Sequence, residues 1–245
     1  MEKIAAQSLS MCNHYANNPD AQALLQTWRE YIAWSLPPKI APPSSLLEED
    51  VWPRREAAVV RQSEEARGAF VDIMTWGVPL SLPGKRPGTR VSKHITNVRN
   101  LASPFWRSML VKPEQRCLVP FTRFAEPKIG AGRKEHWFTV KGREVAAFAG
   151  VWRWAAEAGP AANQAEPQDL LANLEDAALS KADDRSPVKV FAFLTCDPNL
   201  LVAPLHPKAM PVILAEADYS AWLTADWEDA GKLAVPFPSQ LMDVN

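Results

Sequence analysis

The sequence predicts an α+β fold: a single domain around a curved, barrel-like, mainly antiparallel sheet with a few flanking helices. Many short apolar runs are separated by brief turns, which is typical of strands. Only two or three stretches repeat their apolar residues at helical spacing. The chain has 245 residues, of which 47% are hydrophobic, so it can bury one sizeable core.

The first predicted element is a helix that starts near Asn18, a good N-cap residue, with Pro19 in its first turn. Its apolar face repeats at helical spacing and consists of Leu24, Leu25, Trp28 and Ile32. The helix ends before Pro37, because proline cannot continue it. Residues 37–55 are rich in proline and charge, which predicts an ordered loop.

The predicted strands are short, apolar or β-branched, and flanked by turns. They span residues 57–61, 69–76, 118–124, 137–140, 145–152, 188–196 and 210–214. Gly77, closely followed by Pro79, is expected to end the second strand sharply. Residues 81–94 are predicted to form a basic loop ending at His94, and residues 130–134 a turn.

Two further predicted helices are short. The first begins at Ser103 and Pro104, and its apolar residues are Phe105, Trp106, Met109 and Leu110. The second spans residues 217–223 and precedes a tail that contains proline. Residues 155–187 are rich in Ala, Glu and Asp, which predicts a surface insertion rather than part of the core.

Several classes of protein and site are excluded by composition. No apolar run approaches the roughly 20 residues needed to cross a bilayer, and residues 1–10 lack the apolar core of a secretory signal, so we expect a cytoplasmic protein. Three cysteines at scattered positions argue against a disulfide framework. Without paired cysteines or clustered histidines, we expect no metal site and no cofactor.

The net charge of −1 hides an uneven distribution. Between Lys85 and Arg143 the chain carries fourteen Lys and Arg against three acidic residues. Such a basic segment favours nucleic-acid binding, although it is also compatible with a solvated face that has no partner. Phe105, Trp106 and Trp137 lie in the same segment, and aromatic rings of this kind can stack on the bases of a single strand.

Cys12 matters most if it becomes the first residue of the chain. As an internal residue it is an ordinary thiol, and a lone cysteine is usually structural. At an N-terminus, an α-amine with a pKa near ~8 adjoins a thiol with a pKa near ~8.5. The amine condenses with an aldehyde to an imine, and the thiol closes on the imine carbon to a thiazolidine, with a large effective molarity.

Four polar residues far downstream are candidates to assist such chemistry. Asn97 and Arg99 are either a turn residue and a surface charge, or an orienting amide and a phosphate clamp. Glu126 lies in an apolar context, which fits an exposed strand end or a buried acid with a raised pKa. His206 is either a core histidine or a proton shuttle.

The order of these motifs resembles the SRAP (SOS response-associated peptidase) family from Met11 to about Leu223. The motifs that carry the resemblance are Met11-Cys12-Asn13-His14-Tyr15, Trp76-Gly77, Asn97-Val98-Arg99, Arg116-Cys117-Leu118-Val119-Pro120 with Glu126, Ala149-Gly150-Val151-Trp152, and His206 to Leu214. The resemblance implies a DNA-repair protein that binds single-stranded DNA and links covalently to abasic sites. It also implies one α+β domain with a barrel-like sheet.

The resemblance implies a role for each matching residue. Cys12 would form the thiazolidine, Asn97 would position the sugar and the amine, Glu126 would transfer protons, and His206 would promote opening of the sugar ring. The residues expected to contact DNA are Arg99, Trp76, His14, Trp106 and Lys93. A histidine at position 14, where relatives often carry a basic contact, is expected to weaken binding or make it dependent on pH.

One departure from the family pattern concerns the ten residues that precede Met11. The family places its cysteine directly after the initiator methionine, so residues 1–10 are either a misassigned start or a leader. If they are a leader, Cys12 and Glu126 are expected to assist its removal. We therefore expect an SRAP-like domain over residues 11–245 and a mature chain that begins at Cys12.

Two other functions remain open on sequence grounds. The chain is compatible with a thiol peptidase or autopeptidase that uses Cys12 with Glu126 and His206. It is also compatible with a plain nucleic-acid-binding module whose site is inactive. The leading expectation is a monomer whose partner is single-stranded DNA with abasic sites, with possible peptidase and lyase activities beside crosslinking.

Overall fold

A computed structural model provides the fold. It describes residues 12–17, 26–35, 50–63, 67–84, 86, 88–128, 134–155 and 187–245. Strands dominate these ranges, accompanied by a few short helices. The predicted α+β single domain with a barrel-like, mainly antiparallel sheet is confirmed.

The strands are short and follow one another closely. They are β1 (His14–Ala16), β2 (Asp50–Val51), β3 (Glu56–Gln62), β4 (Ala69–Trp76), β5 (Val78–Pro83), β6 (Arg90–Ile95), β7 (Asn97–Val98), β8 (Arg116–Phe121), β9 (Arg123–Pro127), β10 (Glu135–Val140), β11 (Ala146–Ala155), β12 (Val188–Cys196), β13 (Met210–Pro211), β14 (Ile213–Leu214) and β15 (Met242–Val244). The α-helices are α1 (Pro104–Leu110), α2 (Tyr219–Thr224) and α3 (Trp227–Ala230). Four 3₁₀ turns span Pro113–Gln115, Glu216–Asp218, Gly231–Leu233 and Ser239–Leu241.

Five strands close into a barrel. The ring runs β3, β4, β12, β11, β8 and back to β3, and only the β4–β12 pair within it is parallel. Closure removes the exposed edges that an open sheet would present. A second, open sheet has the order β15-β10-β9-β1-β2, and all of its pairs are antiparallel. Strand β8 leads through Thr122 into β9, so the chain passes directly from the barrel into the second sheet.

An aromatic cluster fills the space between the barrel and the second sheet. Phe121 and Phe148 stack with ring centroids 3.8 Å apart, and Tyr15 packs edge-on against Phe148 and Trp76. All of these side chains are fully buried. The cluster places β1, which bears the residues next to Cys12, directly on the barrel core.

Two strand predictions match the structure at both ends, because residues 69–76 and 188–196 are β4 and β12. The predicted basic loop over residues 81–94 is wrong. These residues belong to a hairpin of β5 and β6, in which Ser81 pairs with Ser92. Strand β6 is largely exposed, so it lacks the pattern that predicts a half-buried strand. Strand β5 contains Pro79 and Pro83, which favour a loop on sequence grounds.

Gly77 bends the chain rather than ending the sheet. Its φ of +119° lets β4 turn directly into β5. Two other predicted strands are each divided in two: residues 118–124 break at Thr122, and residues 210–214 break at Val212. In the second case the break moves the chain from a pairing with β12 to a pairing with β11.

The predicted helices are partly confirmed. The helix after Ser103 is α1, and the predicted helix 217–223 corresponds to a 3₁₀ turn followed by α2. Of the first predicted helix, residues 26–28 are helical and Trp28 and Ile32 are buried as expected. The expected end before Pro37 is wrong, because the chain leaves the helix after Trp28 and Trp34 forms a β-bridge with Ala69. Asn18, Pro19, Leu24 and Leu25 lie outside the described residues. So do residues 36–49, 129–133 and 156–186, which include most of the predicted loop, turn and insertion.

The C-terminal tail carries structure that the sequence did not predict. Strand β15 pairs with β10, with Asp243 opposite Thr139. Among the described residues, no helix is both long enough and apolar enough to span a membrane.

Candidate functional site

Cys12 lies at the start of β1 in a fully enclosed position, with 1% of its surface exposed. Its thiol donates weakly to the carbonyl of His14, with 3.7 Å between Sγ and the oxygen. Burial, followed by the nearby charge of Glu126, raises the pKa of this thiol well above its usual value. Inside an uncleaved chain, Cys12 is therefore a neutral thiol rather than a thiolate.

Asn97 holds the backbone of Cys12. Its side-chain Nδ2 donates to the Cys12 carbonyl at 3.0 Å and to the Thr96 hydroxyl at 2.9 Å. Strand β7 places Asn97 beside β12, where it pairs with Phe193. The Asn97 Oδ1 is buried and has no hydrogen-bond partner in the described part of the chain, so it can accept one more hydrogen bond.

Glu126 lies on β9 and is fully buried. Neither of its carboxyl oxygens has a hydrogen-bond partner among the residues that the structure describes. Burial, with a smaller contribution from the negative charge of Glu135, raises the pKa of Glu126 to about 9. At neutral pH this group is a protonated acid, which can donate a proton.

His206 faces Glu126 from a turn between β12 and β13. Its Nδ1 is 2.9 Å from the Ala209 carbonyl and 3.6 Å from Oε2 of Glu126. Because a carbonyl oxygen only accepts, Nδ1 carries a hydrogen and the neutral ring has its lone pair on Nε2. Within the described ranges, this buried Nε2 has no hydrogen-bond partner.

The four residues predicted to carry the chemistry thus lie together. They come from β7 and β9 and from the segments next to β1 and β13, which are far apart in sequence. Contacts link Asn97 to Cys12 and Glu126 to His206, and Glu126 in its ionised form raises the pKa of the Cys12 thiol. The result is a buried site with a thiol, a protonated acid, an amide and an imidazole.

The residues predicted to contact DNA divide into two groups. Lys93 and Arg99 are exposed, and Arg99 forms an ion pair with Asp197. Trp76 and Trp106 are buried, and the indole nitrogen of Trp76 donates to the Thr96 carbonyl at 3.1 Å. The prediction that these two tryptophans face DNA does not fit their burial; Trp76 instead supports the residue next to Asn97.

His14 is also buried, and its surroundings were not foreseen from the sequence. Its Nδ1 donates to Oε2 of Glu135 at 2.8 Å, and its Nε2 is 3.3 Å from Oδ1 of Asp50. The ring stacks on Trp52 at 3.8 Å and meets the edge of Trp137. No local pattern marks Asp50, Trp52 and Glu135 as a group, because strand pairing alone brings them together.

In the described part of the chain, no group of three or more His, Cys, Asp or Glu side chains is arranged to hold a metal ion.

A comparison with known protein families gives a match that includes all four residues of the site. The model of the SOS response associated peptidase (SRAP) family matches residues 11–245. The chain belongs to this family. Membership associates it with the SOS response to DNA damage, and the match begins at Met11, one residue before Cys12. No curated protein matches the chain.

Three solved structures share the fold of this SRAP family member. A protein of Bordetella bronchiseptica is 24% identical, with a TM-score of 0.64, over 95% of this chain and 98% of its own. A Bacteroides thetaiotaomicron protein is 20% identical, with a TM-score of 0.65, over 95% of this chain and 90% of its own. A phage-related protein of B. bronchiseptica is 15% identical, with a TM-score of 0.58, over 96% and 93%.

Proposed function

We propose that this protein binds single-stranded DNA and forms a covalent thiazolidine link to abasic sites through an N-terminal Cys12. The observation that carries the proposal is the meeting of Cys12, Asn97, Glu126 and His206 in one buried site. An abasic site in its open form presents an aldehyde. A terminal aminothiol captures aldehydes, and the three other residues supply the polar assistance that the capture needs.

The crosslink forms in two bond-making steps. The Cys12 α-amine adds to the aldehyde carbon and one water leaves, which gives an imine. The thiol sulfur then adds to the imine carbon, its proton passes to the nitrogen, and a five-membered ring closes. Ring closure is intramolecular and is therefore strongly favoured.

The neighbouring residues have distinct roles in these steps. The free lone pair on Nε2 of His206 accepts the hydroxyl proton when the closed sugar opens. Glu126, protonated at neutral pH, donates a proton to the leaving oxygen. Each such contribution is worth about 10²–10⁴-fold in rate. Asn97 orients the Cys12 backbone and offers its free Oδ1 to the amine.

The reactive form requires an amine at Cys12, so the bond between Met11 and Cys12 has to be absent. Either translation starts at Met11 and the methionine is removed, or water hydrolyses this bond with help from Glu126. Both routes leave the same aminothiol. The raised pKa of the Cys12 thiol makes a buried, internal Cys12 a poor nucleophile. The first attack on the aldehyde is therefore assigned to the free amine.

A general thiol peptidase is the weaker alternative. Such an enzyme needs a thiolate activated by a nearby base. Here the described contact of the Cys12 Sγ is the His14 carbonyl, and both burial and Glu126 favour the neutral thiol. Peptidase activity, where it occurs, is therefore proposed only for the bond before Cys12.

The proposed substrate indicates the compartment in which the protein acts. Exposed Lys93 and Arg99 carry charge suited to a phosphate backbone, and the substrate lies inside the cell. We accordingly propose a monomer that acts in the cytoplasm on single-stranded DNA.

The test uses protein whose intact mass establishes Cys12 as the first residue. It is incubated with a uracil-containing single strand that a glycosylase has made abasic, and the products are run on a denaturing gel. We expect a heat-stable shifted band for the wild type and for Cys196→Ala, a matched cysteine variant. Cys12→Ala loses the band but keeps strand binding. No band from the Cys12-terminated wild type would refute the proposal.

A further inference from the structure

The most unusual cluster outside the four-residue site surrounds His14. This side chain is 6% exposed and lies between the carboxylates of Asp50 and Glu135. Trp52 stacks on its ring with an interplanar angle of 18°, and Trp137 meets it at 73°. Three strands therefore converge on one imidazole: β2 supplies Asp50, β10 supplies Glu135, and β1 supplies His14 itself.

The cluster adjoins the proposed reactive residues on two sides. Cys12 precedes His14 by two positions and donates its thiol hydrogen to the His14 carbonyl. On the other side, β9 pairs with β10 so that Glu126 lies opposite His136, next to Glu135. The pair thus links β1, two residues from the thiol, to β10, where Glu135 lies opposite Pro127, the residue after the acid.

We propose that His14 and Glu135 form a positioning pair: they anchor β1, which begins two residues after Cys12, and keep a negative charge near Glu126. The role of the pair in crosslinking rests on the proposed function, whereas its effect on the ionisation of Glu126 does not. Strand β1 has only three residues, so a side-chain bond to β10 is a substantial part of what fixes the position of Cys12.

Several charged and titratable groups surround Glu135. His14 donates a hydrogen bond to Glu135 at 2.8 Å and also approaches Asp50. Arg123 lies 3.9 Å from Asp50 and over the ring of Trp137. Lys128 lies near the adjacent His136. The charge of Glu135 contributes to the raised pKa of Glu126 and of the Cys12 thiol. Like charges favour the protonated acid.

The same geometry replaces the expected role of His14 as a DNA contact. Both ring nitrogens face carboxylates and the ring is covered by indoles. A phosphate that approached His14 would meet Asp50 and Glu135 first, and their charge repels it. The histidine therefore acts inward on the site rather than outward on the strand.

The test follows the Glu126 carboxyl directly by carbon NMR of glutamate side chains in the full-length protein, with Glu126→Gln to assign the signal. In Glu135→Gln we expect the titration midpoint of Glu126 to fall by about half a pH unit or more, because a like charge is removed. His14→Phe keeps the stacked ring but loses the hydrogen bond to Glu135, so the anchoring of β1 should weaken and the amide of Tyr15 should exchange with solvent faster than in the wild type.

Glu144→Gln is the matched control, since this exposed residue lies past the far end of β10, and the Glu126 midpoint should stay at the wild-type value. If Glu135→Gln unfolds, Glu135→Ala tests the same charge. An unchanged Glu126 midpoint in the Glu135 variant, or unchanged amide exchange at Tyr15 in the His14 variant, would overturn the proposal. Shifted midpoints in protein that never crosslinks would refute the proposed function and leave this pair standing.

Discussion

At the scale of single residues, the buried Glu126 carboxyl has a cost for folding. In the unfolded chain it titrates near its ordinary pKa of 4.5, whereas in the fold burial raises the pKa to about 9. Between these values the folded state holds one proton more than the unfolded state. Stability due to this group is therefore complete below about pH 4.5 and is lost as the pH rises toward 9.

Glu126→Gln should remove this pH dependence. The wild type should lose up to about 1.4 kcal/mol of stability per pH unit within the window relative to the variant. Urea unfolding at pH 5.5, 7 and 8.5 measures the difference. Glu56→Gln, an exposed substitution on β3, should follow the wild type, and equal slopes for wild type and Glu126→Gln would contradict the raised pKa.

Asn97→Asp should slow crosslinking while strand binding persists. The substitution replaces the amide that donates to the Cys12 carbonyl by an acceptor that carries negative charge. Two acceptors in contact repel, so we expect the crosslinking rate to fall by at least about tenfold. Single-turnover crosslinking and equilibrium binding are measured side by side.

Asn100→Asp is the control for that variant, because Asn100 is exposed and its Oδ1, which accepts from Ala102 N–H, is retained. It should crosslink at the wild-type rate. A wild-type rate in Asn97→Asp would show that the bond to Cys12 has no role in catalysis.

The residues of the site differ in how far the sequence reveals them. Cys12, Asn97, Glu126 and His206 were predictable because each stands in a recognisable motif with a fixed order. Asp50 and Glu135 were not, since their effect depends on β2 pairing directly with β1 and on β10 reaching β1 across β9. Likewise, tryptophan in a basic segment does not reveal whether its ring faces solvent, and Trp106 proved to be buried.

At the scale of elements, patterns of apolar residues predict every strand of the barrel and miss several strands outside it. Residues 188–196 are mostly apolar and were predicted as a strand at both ends. The β5–β6 hairpin combines two prolines in β5 with an exposed β6, and β15 has three residues and exists through its pairing with β10. Segments that are this short, exposed or rich in proline are not recognised as strands from sequence.

The junction between β4 and β5 depends on Gly77. Its φ of +119° is rarely adopted by other residues, and an added Cβ would lie 3.1 Å from the Cβ of His94. Gly77→Ala should therefore lower stability by about 1–3 kcal/mol.

Gly142→Ala is the matched comparison for the junction. Its φ of +69° is in the left-handed helical region, and nothing lies within 4 Å of the added Cβ, so the loss should be only about 1 kcal/mol. Thermal or urea unfolding of the two variants compares them. Equal losses would contradict the importance of the contact with His94.

At the scale of the whole molecule, the chain separates its charges. Residues 85–143 are strongly basic, while the remainder is acidic enough to bring the net charge to −1. Such a distribution attracts a polyanion to one part of the surface, while the low net charge limits nonspecific binding elsewhere. The prediction that this segment binds single-stranded DNA therefore depends on local charge. It can be tested by measuring how the binding affinity changes with salt concentration.

Binding of undamaged single-stranded DNA, measured with Cys12→Ala to prevent crosslinking, should weaken steeply with salt. Each phosphate that a cation neutralises contributes about 0.7 to the slope of log affinity against log salt. Lys93→Gln and Arg99→Gln should each reduce the slope by roughly this amount. Lys232→Gln, which changes an exposed lysine paired with Asp229 outside the basic segment, should leave it unchanged. Equal slopes in all three variants would mean that DNA follows a different path across the protein, and that the reactive site is approached from a face other than the one bearing Arg99.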